Sequence, residues 1–229
     1  TIRNTLDPLR AIYRRALHRE LVAVNPTIGL EVPKASGKRD RIASREEAAA
    51  LIAALPESER ALWATAFYGG LRRGELQALQ WEDVDLDAGR ISVTATMDDV
   101  EGPQAPKSDA GLRAVPIIEP LKAELQQHQQ QTKRNGADLV FGRTATDPFV
   151  ATTARSRALS AWKKQKPPLA PIKLHECRHT FASMLIAAGC NAKDLSVVMG
   201  HSSISTTFSS GTRRISRVAP MFPTPVSPW

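Results

Sequence analysis

Four short segments carry side chains suited to chemistry on a phosphodiester. GLRRGEL (70–76) delivers Arg72 at a helix start behind a glycine pair, with Glu75 three residues on. PKSDAGLRAVPI (106–117) puts Lys107 on a turn between two strand-like runs. HECRHTFASMLIAAG (175–189) sets His175 and Arg178 three apart, hence on one helical face, while Phe181, Leu185 and Ile186 can bury the other. MGHSSISTT (199–207) places His201 just after a helix-ending glycine. Phosphoryl transfer gathers negative charge on the non-bridging oxygens, and fixed guanidinium forks stabilise it. A proton donor must also reach the leaving oxygen, and a nucleophile must attack in line. Two arginines, one lysine and two histidines meet the first two needs.

The third segment also spells H-E-x-x-H, a zinc-protease helix pattern in which His175 and His179 would bind the metal and Glu176 would act as base. That reading leaves Arg72, Lys107 and Arg178 without a role.

The elements that must position these residues follow from periodicity and punctuation. Residues 2–23 read as an amphipathic helix closed by Asn25-Pro26, and 31–43 as a polar, basic linker. Ser44 and Glu47 form a capping box that opens a helix stopped by Pro56. A second helix covers about 58–68, and a third starts near Arg72. RISVTAT (90–96) and RAVPI (113–117) read as strands. Helices are expected over 120–134, 152–166, 175–188 and 192–199, with Gly189 and Gly200 as stops. Arg155, Arg157, Lys163, Lys164 and Lys166 give the 152–166 helix a charge of one sign, suited to phosphate contact.

In order and spacing, these segments resemble the motif set of the tyrosine recombinases, the phage-integrase family. The resemblance covers roughly residues 42–208, and residues 1–30 are similar to the end of that family's core-binding domain. It implies an α+β fold, mostly α-helical with a small antiparallel sheet, preceded by the last helix of an α-helical core-binding domain. It assigns catalytic roles to Arg72, Lys107, His175, Arg178 and His201, with Glu75 supporting Arg72. It further implies double-stranded DNA as partner, a homo-tetramer on that DNA, and no metal or nucleotide cofactor. The domain plan is a core-binding remnant (1–30), a linker (31–43), a catalytic domain (44–208) and an irregular tail (209–229).

One departure stands out. The family's nucleophilic tyrosine follows the last histidine by nine or ten residues, where this chain has Ser210 and Gly211. The chain has tyrosine only at positions 13 and 68. From Ser209 onward the composition changes to a proline-rich run with few periodic apolar positions and no clear cap. A shifted reading frame across Gly211-Thr212 could contain a tyrosine codon. The alternatives are a DNA-binding module without catalysis, or a serine hydroxyl, shorter by a ring, at 209 or 210.

The bulk properties agree with a DNA partner. Over 229 residues, 31 Lys and Arg against 23 Asp and Glu leave a formal charge of +8, which attracts polyanions. Apolar residues make up 42%, enough for a globular core. Cys177 and Cys190 form no CxxC pair, so neither a disulfide framework nor a zinc ribbon is indicated, and a cytoplasmic setting is expected. No apolar run approaches the roughly 18 residues of a membrane span, and no signal peptide is evident. The start at Thr1, directly in helical pattern, reads as a piece of a longer protein.

Overall fold

A computed structural model describes residues 2–30, 40–106 and 111–200. The chain divides into two compact units, Thr1–Arg39 and Asp40–Trp229. In the first, helix α1 (Ile2–His18) ends five residues before the expected 23. Glu20 takes a left-handed conformation (φ 57°), and the Leu21 amide reaches back to the Ala16 carbonyl. This closing turn stops the helix well before Asn25-Pro26, which sets only an outer limit.

The second unit is built around α3 (Glu57–Tyr68). Every residue from Ala61 to Tyr68 is buried, as expected of a helix apolar on all sides. It is preceded by α2 (Arg45–Ala53), whose Ser44–Glu47 capping box is present. Helices α5 (Glu119–Thr132), α6 (Ala151–Lys163) and α7 (Leu174–Ala187) complete the helical layer, and α8 (Ala192–Met199) follows α7. Trp63 of α3 meets Trp162 of α6 edge-on at 4.9 Å, and the Trp162 indole donates to the Leu51 carbonyl at 2.8 Å. Trp63, Trp81 and Trp162 are thus core residues, while Trp229 lies outside the described residues. Cys177 is buried and Cys190 half-buried.

The sheet is small and antiparallel. Strands β1 (Val84–Asp85), β2 (Arg90–Val93) and β5 (Arg113–Pro116) lie side by side in that order. Ile91 faces Val115 and Val93 faces Arg113. Between β2 and β5 the chain makes a separate hairpin of β3 (Thr96–Asp98) and β4 (Gly102–Gln104). Residues of the expected linker from Asp40 onward pack on the second unit: Ala43 is buried and its amide donates to the Thr180 hydroxyl at 3.1 Å. The fold is mostly α-helical with a small antiparallel sheet, as the resemblance implied.

Candidate functional site

Helix α3 ends at Gly69, and Gly70 turns the chain with a positive φ of 62°. A Cβ at Gly70 would lie 2.2 Å from the Phe181 ring, so the turn packs directly on α7. Arg72 then caps helix α4 (Arg73–Ala78). Its amide donates to Glu75 Oε2 at 2.7 Å and its guanidinium to Glu75 Oε1 at 2.7 Å. The outer edge of the same guanidinium donates to the Gly200 carbonyl at 2.7 Å, and the side chain keeps 41% of its surface exposed.

Arg178, on the first turns of α7, is only 4% exposed. Its two terminal nitrogens donate to the carbonyls of Gly70 and Met199. Burial, reinforced by the like charge of Arg72, lowers its pKa to about 9 against the pull of Glu75. A cation held this way gains from any anion that approaches it.

A third arginine, not expected from the motifs, completes the cluster. Arg113 on β5 has a side chain only 2% exposed and grips Glu75 with both terminal nitrogens at 2.9 and 2.8 Å. Burial by itself would push the Glu75 carboxyl up. The Arg113 fork, the Arg72 amide and the charge of Arg178 outweigh it and hold the pKa down to about 2. One signal in the sequence could have revealed Arg113: β5 alternates, and Arg113 falls on the same inward face as Val115.

Three guanidiniums therefore meet the last carbonyls of α8: Arg113 at Val198, Arg178 at Met199, Arg72 at Met199 and Gly200. These carbonyls have no partner inside the helix and carry the negative end of its dipole. Gly200 closes the helix in the left-handed conformation.

His175 is exposed on the first turn of α7, one turn from Arg178, with its ring edge-on to His179 at 4.5 Å. Burial pushes the His179 imidazole down, and the neighbouring His175 adds to the effect. His179 Nε2 sits 3.3 Å from an Asp40 oxygen, close enough for an ion pair but poorly aimed for a hydrogen bond. Glu176, the base of the H-E-x-x-H reading, is engaged in capping α7, where it accepts from the Lys173 amide at 2.8 Å. Tyr68 is 5% exposed within α3, and burial raises its hydroxyl pKa. Lys107, His201, Ser209, Ser210 and Gly211 lie outside the described residues.

The structure thus brings Arg72, Glu75 and Arg178 together, adds Arg113, and sets His175 at the surface nearby. The model of the phage integrase family matches residues 42–212, three quarters of the sequence. The chain belongs to the phage integrase family. It is 28% identical over 225 residues to the prophage integrase IntR of Escherichia coli, covering 88% of this chain and 54% of the relative. It is 27% identical over 212 residues to the tyrosine recombinase XerC of Xylella fastidiosa, covering 90% of this chain and 68% of the relative. The chain therefore spans about half the length of the first of these relatives. Among solved structures it resembles the Tn1549 transposon integrase in complex with a circular intermediate DNA (TM-score 0.76, 22% identity, 92% of this chain and 74% of that one). It also resembles a lambda integrase dimer bound to a core site (TM-score 0.61, 20% identity, 92% and 59%). At these identities the structural likeness establishes the fold. Among the described residues, no helix is long and apolar enough to cross a membrane.

Proposed function

We propose that this chain is the DNA-binding catalytic domain of a site-specific recombinase or integrase, built to transfer a phosphoryl group between DNA and a protein hydroxyl. The observation that carries the reading is the convergence of Arg72 and Arg178, 106 residues apart in sequence, on one short stretch of backbone beside Glu75. In this reading, both guanidiniums take the non-bridging oxygens of the scissile phosphate as its charge develops. His175 and His201 add donors to the same group. Lys107 gives its proton to the leaving 5′-oxygen, so that the P–O bond breaks without expelling an alkoxide. The incoming hydroxyl passes its proton to water as the new P–O bond forms, and the bond energy is conserved in the phosphodiester. Neither metal nor nucleotide is required for that balance. Relatives solved on DNA, one of them as a dimer, support duplex DNA as the ligand and assembly upon it, with a tetramer on two sites as the complete unit.

A second reading is favoured by the tyrosines. Tyr68 is buried in α3, so it is not placed to attack a phosphate held by Arg72 and Arg178, and Tyr13 does not fall at the family's nucleophile position nine or ten residues after His201. The chain as it stands then grips DNA without cutting it. A pool of nicked duplexes randomised through their centre separates the two. The expected result is binding without a covalent adduct, and a phosphotyrosyl adduct once Ser210→Tyr supplies the hydroxyl. An adduct formed by the unmodified chain would overturn the second reading. Arg178→Ala should weaken binding at least tenfold more than Arg143→Ala, a change at a surface ion pair with Asp147. Equal losses would overturn the first.

A further inference from the structure

Resting on the phosphate-gripping reading above, we infer that Arg113 is a positioning residue of the site: one buried guanidinium that fixes the geometry of Arg72 through Glu75 while holding the carboxyl end of α8.

The hydrogen bonds of Arg113 account for the claim. Its terminal nitrogens donate in parallel to the two Glu75 oxygens, at 2.9 and 2.8 Å. Each of those oxygens also accepts from Arg72, one from the guanidinium and one from the amide. Glu75 is therefore a planar plate clamped between two arginines, and its orientation dictates where the Arg72 guanidinium lies. The Arg113 Nε donates in another direction, to the Val198 carbonyl at 2.8 Å. A further weak bond at 3.3 Å reaches the Gly111 carbonyl. Gly111 lies four residues after Lys107 in sequence, and Val198 three residues before His201. A single side chain is thus tied to Glu75 and to the described flanks of two other residues to which the reading assigns roles.

Lysine cannot take this place. Its ammonium can meet one Glu75 oxygen, but it lacks the rigid fork that spans both and the separate Nε donor aimed at Val198. A neutral residue would leave the buried carboxylate with less compensation, and burial would then draw its pKa upward. The part played by Arg113 is accordingly separable from bulk packing: it shows in the ionisation of Glu75 and in the order of Arg72, neither of which a generic core residue would move.

The test uses the full chain and its Arg113→Lys variant, with Arg143→Lys as a surface control. The Glu75 carboxyl carbon is followed by NMR through an acid titration, and the Arg72 Nε–H resonance at neutral pH. In the unmodified chain Glu75 should remain ionised below pH 4, and the Arg113 Nε–H should rank among the slowest-exchanging arginine side-chain protons. In Arg113→Lys the Glu75 midpoint should rise by more than one pH unit, and the Arg72 signal should broaden or shift. The affinity for inorganic phosphate, read at the Arg72 and Arg178 resonances, should fall at least tenfold. Arg143→Lys should change none of these. An unmoved Glu75 midpoint with an unmoved Arg72 resonance overturns the inference. So does fast exchange of the Arg113 Nε–H in the unmodified chain, a result that depends on no variant folding. If the unmodified chain takes up no phosphate at Arg72 and Arg178, the functional reading fails, while the Glu75 and Arg72 signals still decide the role of Arg113.

Discussion

Arg113 and Arg178 are both buried cations, yet their removal should cost stability to different degrees. Arg113 neutralises a buried carboxylate, so Arg113→Met leaves Glu75 charged and short of partners, at a cost of about 3–5 kcal/mol. Arg178 is held mainly by carbonyls and is itself destabilised by burial. Arg178→Met should therefore cost far less stability while removing most phosphate affinity. Urea unfolding of the two variants checks the ordering; a larger loss for Arg178→Met would contradict it. Acid should reveal the same network. The Glu75 pKa is depressed from the ordinary 4.5 to about 2, so its stabilisation is fully present above about pH 4.5 and is lost as pH falls toward 2. A shift of that size corresponds to about 3 kcal/mol. In Glu75→Gln this acid-labile component should be missing from the stability–pH curve. Arg72 and Arg178 were legible in the sequence because each sits beside a recognisable signal, a glycine pair and an i,i+3 histidine, and Glu75 through the family resemblance. Arg113 was missed: alternation along β5 sets it on the inward face with Val115, but the carboxylate that gives a buried arginine its purpose lies 38 residues away in sequence.

At the scale of elements, glycines decide how closely the site's supports approach. A Cβ on Gly74 would lie 2.4 Å from the Thr96 hydroxyl and 2.7 Å from the Met97 carbonyl, so α4 rests directly on β3. Gly74→Ala must push that hairpin away, at a cost of about 1–3 kcal/mol. Thr96→Ala in the same chain should recover only part of this, because the Met97 carbonyl is backbone and cannot be trimmed. Complete recovery in the double variant, measured by denaturant unfolding, would show that the hydroxyl alone obstructs. The long helices and their ends were readable from periodicity and caps: Ser44 with Glu47 at α2, the turn at Gly189 after α7, and the left-handed Gly200 after α8. Strands β1, β3 and β4 were not, since two or three residues are too few to establish an alternation. The early end of α1 escaped as well, because Glu20 is not a residue type that announces a left-handed turn.

Across the whole molecule, the site and the charge distribution should make separable contributions to DNA affinity. The +8 excess favours any polyanion at long range. Helix α6 buries Ala154, Ala158 and Trp162 and turns Arg155, Lys163 and Lys164 to the surface, with no acidic residue along its length. Arg157 is exposed too, but it is paired with the buried Glu59 at 2.8 Å, so part of its charge is already spoken for. If these cations meet phosphates, each contact releases condensed counterions, and log affinity should fall with log salt by about 0.9 per contact. Replacing Lys163 and Lys164 together with glutamine should then flatten the slope by about two while weakening all duplexes alike. Arg143→Gln, at a surface ion pair with Asp147, should leave the slope unchanged. Arg178→Ala should reduce the slope by no more than about one, yet its effect should persist at high salt, because a buried guanidinium is poorly screened. Fluorescence anisotropy on one duplex across a salt series reads all four chains. A slope indifferent to Lys163 and Lys164 would place the DNA on a different face from α6, and an Arg178 effect that salt erases would mean that its guanidinium never reaches the phosphate.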